Sequence, residues 1–371
     1  MVSVNPPSGF RDFINDEARR RLKLMNLISE VYQSFGFLPL ETPVVENLEL
    51  LVGGGGGEEN DKLVFKILKR GGKFEEAIQG ALKQPESSGS PGSPPVIDEN
   101  QIAEFGLRFD LTLPLSRVVA LHRGKIQFPW KVFHIGPVWR AERPQKGRFR
   151  EFIQCDVDII GAKGVGAEIE VIQAVVHAVS RVGAKGFELR INDRRLIEAM
   201  ARQFGFEDGK LEKFAVLLDK KDKLETQELV NQFKELAGHD LSNELLSFIE
   251  GSLSLEFAEK FHPEAAQDLK TIMSTLGALQ LPLTGIVFDP SLVRGMGYYT
   301  GPVFELRHSS AGYSFGGGGR YDRLVGRLSG QEIPACGFSI GFERLALLLA
   351  ESELHSQSDS KTIFCSGFKI F

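Results

Sequence analysis

Residues 140–161, RAERPQKGRFREFIQCDVDIIG, constrain the fold of this chain more than any other stretch. In its second half polar and apolar residues alternate. Gln154, Asp156 and Asp158 fall on one face of an extended strand, and Ile153, Cys155, Val157 and Ile159 on the other. A period of two excludes a helix and predicts a strand with one face in a core and the other lining solvent or a ligand. The first half holds five cations, Arg140, Arg143, Lys146, Arg148 and Arg150, against one acid, Glu142. The whole chain has a formal net charge of −5, so this turn is a local device for an anion rather than a general coat for nucleic acid. WKVFHIGPVWRAE, just before it, is also strand-like. The pair reads as a hairpin whose floor holds Arg140, Glu142, Gln154 and Asp158, with Arg148 at the turn.

The 371 residues, 42% of them hydrophobic, suffice for one large or two medium domains. Cys155, Cys336 and Cys365 are too scattered for a disulfide framework or a zinc site, and the histidines are scattered as well, so no metal site is expected. No apolar run is long enough for a membrane span and no presequence is visible, which predicts a cytoplasmic protein. Residues 15–35 read as a helix with Leu24, Leu27, Ile28, Val31 and Phe35 on one face, a cap at Asn15 or Asp16 and a stop at Gly36. Pro39 and Pro43 make the next segment extended. The glycines from Gly53 to Gly57 read as a loop rather than a phosphate cradle, and residues 84–100, rich in Pro, Ser and Gly, as a surface excursion. Periodicity is mostly helical from about 190 to 285 and strand-like again afterwards. Hairpin-like connections predict an α+β fold, an antiparallel sheet flanked by helices, with a mostly helical insertion.

Three further residues stand out. Arg294, in LVRGMGYYTG, is a cation in what reads as an apolar, glycine-rich strand, where it needs an anionic partner. Arg344 falls in the first turn of a hydrophobic helix, the unfavourable end for a cation. Asp110 is an acid in the extended stretch LRFDLT. Together they predict a site with arginines for phosphate or carboxylate and acids for an amine or a basic side chain.

GPVWRAERPQKGRFREFIQCDVDIIG resembles motif 2 of the class II aminoacyl-tRNA synthetases in its histidyl form. LPLETPVVE, with Pro43, resembles motif 1, and GFSIGFERLALLL motif 3. LVRGMGYYTGPVFE resembles a stretch peculiar to the histidyl enzymes, and LRFDLT their histidine-amine loop. The resemblance runs from about residue 5 to 350. It implies a class II synthetase-like fold that joins L-histidine to tRNA(His) with ATP and substrate-bound Mg²⁺. Arg140 would bridge the α-phosphate and the histidine carboxylate, Arg294 would sit on the α-phosphate, and Arg148 would reach the terminal phosphates. Glu142, Phe152 and Arg344 would hold the adenine. Asp110, Leu111, Thr112 and Gln154 would bind the α-amino group, and Asp158, Tyr298 and Tyr299 would read the imidazole. Arg143 and Gln145 would meet the tRNA acceptor stem, and motif 1 implies a homodimer.

The resemblance divides the chain into a first core part (1–190), an insertion (191–285), a second core part (286–352) and a tail (353–371). Two departures follow. Gly297 stands where many histidyl enzymes carry Asp or Ser, and no anticodon-binding domain is expected after motif 3. The second departure keeps two alternatives open. One is the regulatory subunit of ATP phosphoribosyltransferase, a histidine sensor of similar fold. The other is a truncated catalytic domain that adenylates histidine but charges tRNA poorly. HIGP at 134–137 resembles a class I synthetase signature but reads as ordinary strand.

Overall fold

The structure is a computed structural model that describes residues 3–53, 61–83, 98–145, 147–221, 224–249, 254–294, 297–308 and 313–359. The glycine run after Gly53, most of the Pro/Ser-rich stretch, Lys146 and the end of the tail lie outside the described residues. The described strands are β1 (Leu38–Pro39), β2 (Val45–Asn47), β3 (Lys66–Leu68), β4 (Ala103–Leu107), β5 (Trp130–Trp139), β6 (Glu151–Ile160), β7 (Phe187–Asp193), β8 (Ile286–Phe288), β9 (Pro302–His308), β10 (Ser314–Arg320) and β11 (Ala335–Gly341). Eight of them make one sheet in the order β1-β5-β6-β11-β10-β9-β7-β8, and β2-β4-β3 make a second. The large sheet is antiparallel through its centre, with parallel pairs only at the margins, β1 on β5 and β7 on β8.

The hairpin of β5 and β6 is in the register that alternation requires, from Trp130 opposite Ile160 to Trp139 opposite Glu151. Cys155, Val157 and Ile159 are buried in the main core. There they meet the helices Asn15–Ser34, Gly166–Arg181 and Phe342–Asp359, so helices cover one face of the sheet. On the opposite face Val132, Ile160 and Ala335 join a second cluster with Phe109, Leu113, Tyr298 and Tyr321. Between β7 and β8 run six α-helices of the described residues, from Arg194–Gln203 to Pro263–Ala278. Their apolar sides pack into the main core through Phe204, Phe214, Phe233 and Phe248.

Two local expectations are corrected. The first helix takes Ile14 as its N-cap and no side chain caps it; Asn15 instead has φ +50°. Asn tolerates the left-handed region, so the residue that suggested a cap serves as a backbone turn. Arg294 is not on a strand. It sits in the loop between β8 and β9 with φ +59°, and its side chain returns over the sheet.

Candidate active site

Across the sheet the registers build rows of side chains on the face opposite the main core. Asp158 is opposite Gly337 on β11, Asp156 opposite Ser339, and Gln154 opposite Gly341. On β10, Gly319 is opposite Gly337 and Gly317 opposite Ser339. Beyond them β9 contributes Val303 and Glu305. Acids and an amide stand on β6, and the two central strands beside it carry almost nothing on that face. The void above them is part of a cavity of about 880 Å³.

The small residues are steric requirements. A Cβ on Gly337 would lie 1.8 Å from Asp158 Oδ1, and one on Gly317 would lie 2.3 Å from Arg294 Cζ. Glycine within a strand marks a close approach. Here the approaching groups are the carboxylate and the guanidinium of the site.

Asp110, Thr112, Gln154, Asp158, Tyr298 and Tyr299 all line this cavity. Asp110 Oδ1 accepts the Leu113 N–H at 3.1 Å, at the start of the helix Thr112–His122. Tyr298 hydrogen-bonds Thr112 and Tyr299. Leu111 is buried just before that helix and does not line the cavity with its side chain. Asp158 accepts a 2.5 Å hydrogen bond from the Tyr321 hydroxyl. Burial raises the Asp158 carboxyl to about 7 against that bond, with Asp110 adding to the rise. Asp110 is raised to about 6 by burial, opposed by the Leu113 N–H and by Arg140. A cationic ligand is what would hold both acids ionised.

The arginines converge on the same cavity. Arg140, Arg148, Arg294 and Arg344 line it, together with Glu142, Arg143 and Phe152. Arg140 Nε donates to the Phe109 carbonyl, and its guanidinium lies 5.0 Å from the Phe152 ring centre. Arg294 donates to Glu305 at 2.8 Å and keeps about a quarter of its side-chain surface. Its Nε is buried without a partner. Arg344 donates to the Ser314 carbonyl. Burial lowers the Arg344 pKa, and Arg148, Arg294 and Arg140 lower it further. Four guanidinium groups that repel one another in one cavity are arranged for a polyanion. At the turn, Gln145 and Arg148 exchange backbone hydrogen bonds, and Arg148 stands 3.8 Å from Glu142. Gln145 does not line this cavity; it borders a shallower pocket beside Ser8 and Arg11.

Arg140 stands where the two charge groups meet. Glu142, Asp110 and Tyr298 favour its charge and Arg148 opposes it. The cavity can therefore take a molecule that is cationic at one end and a polyanion at the other, joined beside Arg140. The alternation of 151–160 and the arginines point to this from the sequence. Tyr321, Ser339, Glu305, Gly317 and Gly337 do not stand out there. The four consecutive glycines of SFGGGGR and the glycines of ACGFSIG, within strand patterns, are the signal that could have found the last two.

The structure resembles that of a Bacillus halodurans C protein described as an ATP phosphoribosyltransferase regulatory subunit/histidyl-tRNA synthetase. That match has TM-score 0.75 and 22% identity, covering 94% of this chain and 84% of the other. The histidyl-tRNA synthetase of Nostoc sp. PCC 7120 matches with TM-score 0.73 and 24% identity, covering 95% and 77%. The fold is thus that of the class II aminoacyl-tRNA synthetases. In sequence, residues 87–345 match the family model described as Histidyl-tRNA synthetase. The histidine–tRNA ligase of Leifsonia xyli subsp. xyli is 40% identical over 363 residues, covering 93% of this chain and 80% of the relative. This chain belongs to the histidyl-tRNA synthetase family.

Proposed function

We propose that this chain is a histidine–tRNA ligase that activates L-histidine with ATP and passes the histidyl group to tRNA(His), releasing AMP and diphosphate. The observation that carries this reading is the charge order of the cavity, acids and arginines meeting at Arg140. A carboxylate oxygen of histidine attacks the α-phosphorus, the bond to the β-phosphate oxygen breaks, and diphosphate leaves with the electron pair. A ribose hydroxyl at the tRNA end then attacks the carbonyl carbon of the adenylate, and AMP leaves.

Each step needs positioning and fixed charge more than covalent help. Arg140 holds the carboxylate against the α-phosphate. Arg294, aimed by Glu305, meets the charge that develops there, and Arg148 takes the terminal phosphates with the Mg²⁺ that arrives on the nucleotide. Phe152 and Arg344 enclose the adenine, with Glu142 at its edge. Asp110, Thr112 and Gln154 receive the α-ammonium, with Leu111 supplying backbone. Asp158, fixed by Tyr321, takes the imidazole N–H with Tyr298 and Tyr299 beside it. Arg143 and Gln145, at the tip of the hairpin, would meet the acceptor stem.

We take residues 191–285 as an insertion in a core made of 1–190 and 286–352. We also propose a cytoplasmic homodimer formed through the first helix and the strand that follows it, around Leu38, Val44 and Val45. Leu38, Val44 and Val45, 58%, 40% and 39% exposed, support that contact. A protein that only senses histidine has no use for four arginines in the nucleotide half, which sets the regulatory reading aside. Arg294→Ala tests the assignment. Histidine-dependent exchange of labelled diphosphate into ATP should fall by about 10²-fold or more while histidine binding persists. Exchange at the original rate would remove Arg294 from the mechanism.

A further inference from the structure

Asp156 stands between Gln154 and Asp158 on the cavity floor, and neither the resemblance nor the roles above give it a task. It is 3% exposed, and its Oδ1 is buried without a hydrogen-bond partner. Ser339 hydrogen-bonds its carboxylate. The same serine accepts the Gln154 Nε2–H at 2.7 Å, which aims the Gln154 Oε1 away from it. Gln154 Oε1 is also buried and unpartnered. So is Asp110 Oδ2, whose sister oxygen is held by the Leu113 N–H. Three side chains of one cavity are thus each tied down at one end and left with a free acceptor at the other.

Three fixed acceptors without a donor match one chemical group, an ammonium, which has three N–H donors and accepts nothing. The charges agree. Arg140 acts on both Asp110 and Asp156, and Arg108 acts on Asp156 as well, but among the described residues neither carboxylate is in an ion pair, so a directly bound positive charge is what they lack. His134, directly across the hairpin from Asp156, does not supply it, because burial and the neighbouring Arg108 depress its pKa to about 4. Burial, and Asp158 next to it, push the Asp156 carboxyl well above the ordinary range as long as that charge is missing. Asp158 is not equivalent, since Tyr321 already occupies its Oδ1.

We propose that Asp156 is a further substrate-binding residue, its free oxygen being the third acceptor for the α-ammonium of histidine beside Asp110 and Gln154. Ser339 is the positioning residue that aims Gln154 and Asp156 together. This rests on the ligase reading and assigns a specificity to the same cavity: a primary ammonium next to the reacting carboxylate.

The test compares wild type with Asp156→Asn, which keeps the shape and an acceptor for Ser339 and removes only a buried charge. Binding of L-histidine, of histamine (which keeps the amine) and of 3-(imidazol-4-yl)propionate (which lacks it) is measured by calorimetry, with competition for the weakest. Histidine and histamine should lose affinity by about 10- to 100-fold, and the propionate should be unchanged or bind more tightly. Ser339→Ala should show the same pattern at smaller amplitude. Equal weakening of all three ligands would reduce Asp156 to shaping the floor and overturn the proposal, as would no change in any. A wild-type protein that binds neither histidine nor histamine would sink the ligase reading itself, and the proposal with it.

Discussion

Asp158 shows how one residue links stability to function. Its carboxyl is raised to about 7 mainly by burial. A folded-state pKa above the unfolded value means that its stabilising effect is complete below about pH 4 and is lost as pH rises through 7. At pH 8 the free protein therefore holds a buried carboxylate at a cost, which a ligand N–H would offset. Asp158→Asn should raise the stability of the ligand-free protein at pH 8, by on the order of 1–3 kcal/mol, and have little effect near pH 4. Urea unfolding at both pH values checks this. A gain of the same size at both would show that the carboxylate is not the source. The price of that gain is the histidine affinity that the proposed function assigns to Asp158.

The element that decides the site is the pair of central strands β10 and β11. Their glycines are where they are because Arg294 and Asp158 occupy the space in which side chains would stand. The two positions should therefore fail differently. Gly317→Ala displaces Arg294 and should cut diphosphate exchange by about 10²-fold while histidine still binds. Gly337→Ala pushes on Asp158 and should weaken histidine binding first. The comparison needs kcat and KM of exchange for each variant; the same profile for both would refute this division of labour. A helix-to-strand tie supports the arrangement from below. Glu343, the residue before Arg344, accepts from Arg21 of the first helix at 2.7 Å and from the Ile153 N–H at 2.9 Å.

At the scale of the molecule, the proposed dimer segment is tied to the site. Arg108 donates to the carbonyls of Thr42 and Pro137, and its N–H to Val44. It is two residues before Asp110, so a shift of the 42–44 segment reaches the acid proposed to bind the amine through one buried arginine. Leu38→Glu combined with Val45→Glu should give a monomer by sedimentation velocity, with reduced exchange activity in the monomer. A monomeric wild type would remove the dimer from the proposal, and a fully active monomer would remove the tie.

The sequence by itself determined the strand of residues 151–160, its two faces, the cationic turn and the amphipathic helices. Each depends on residues close in the chain, whose geometry is set by the periods of strand and helix. It also marked Asp110, Arg294 and Arg344, because a charge in apolar surroundings is visible locally. Tertiary structure alone decided that Asp158 meets Tyr321, that Ser339 aims Gln154 and Asp156, and that Arg294 leaves its expected strand to lie over Gly317. Those contacts depend on registers between strands that are up to about 180 residues apart in sequence. A strand's own pattern states which side chains share a face and not which neighbour they face. The partner is chosen when the whole sheet assembles.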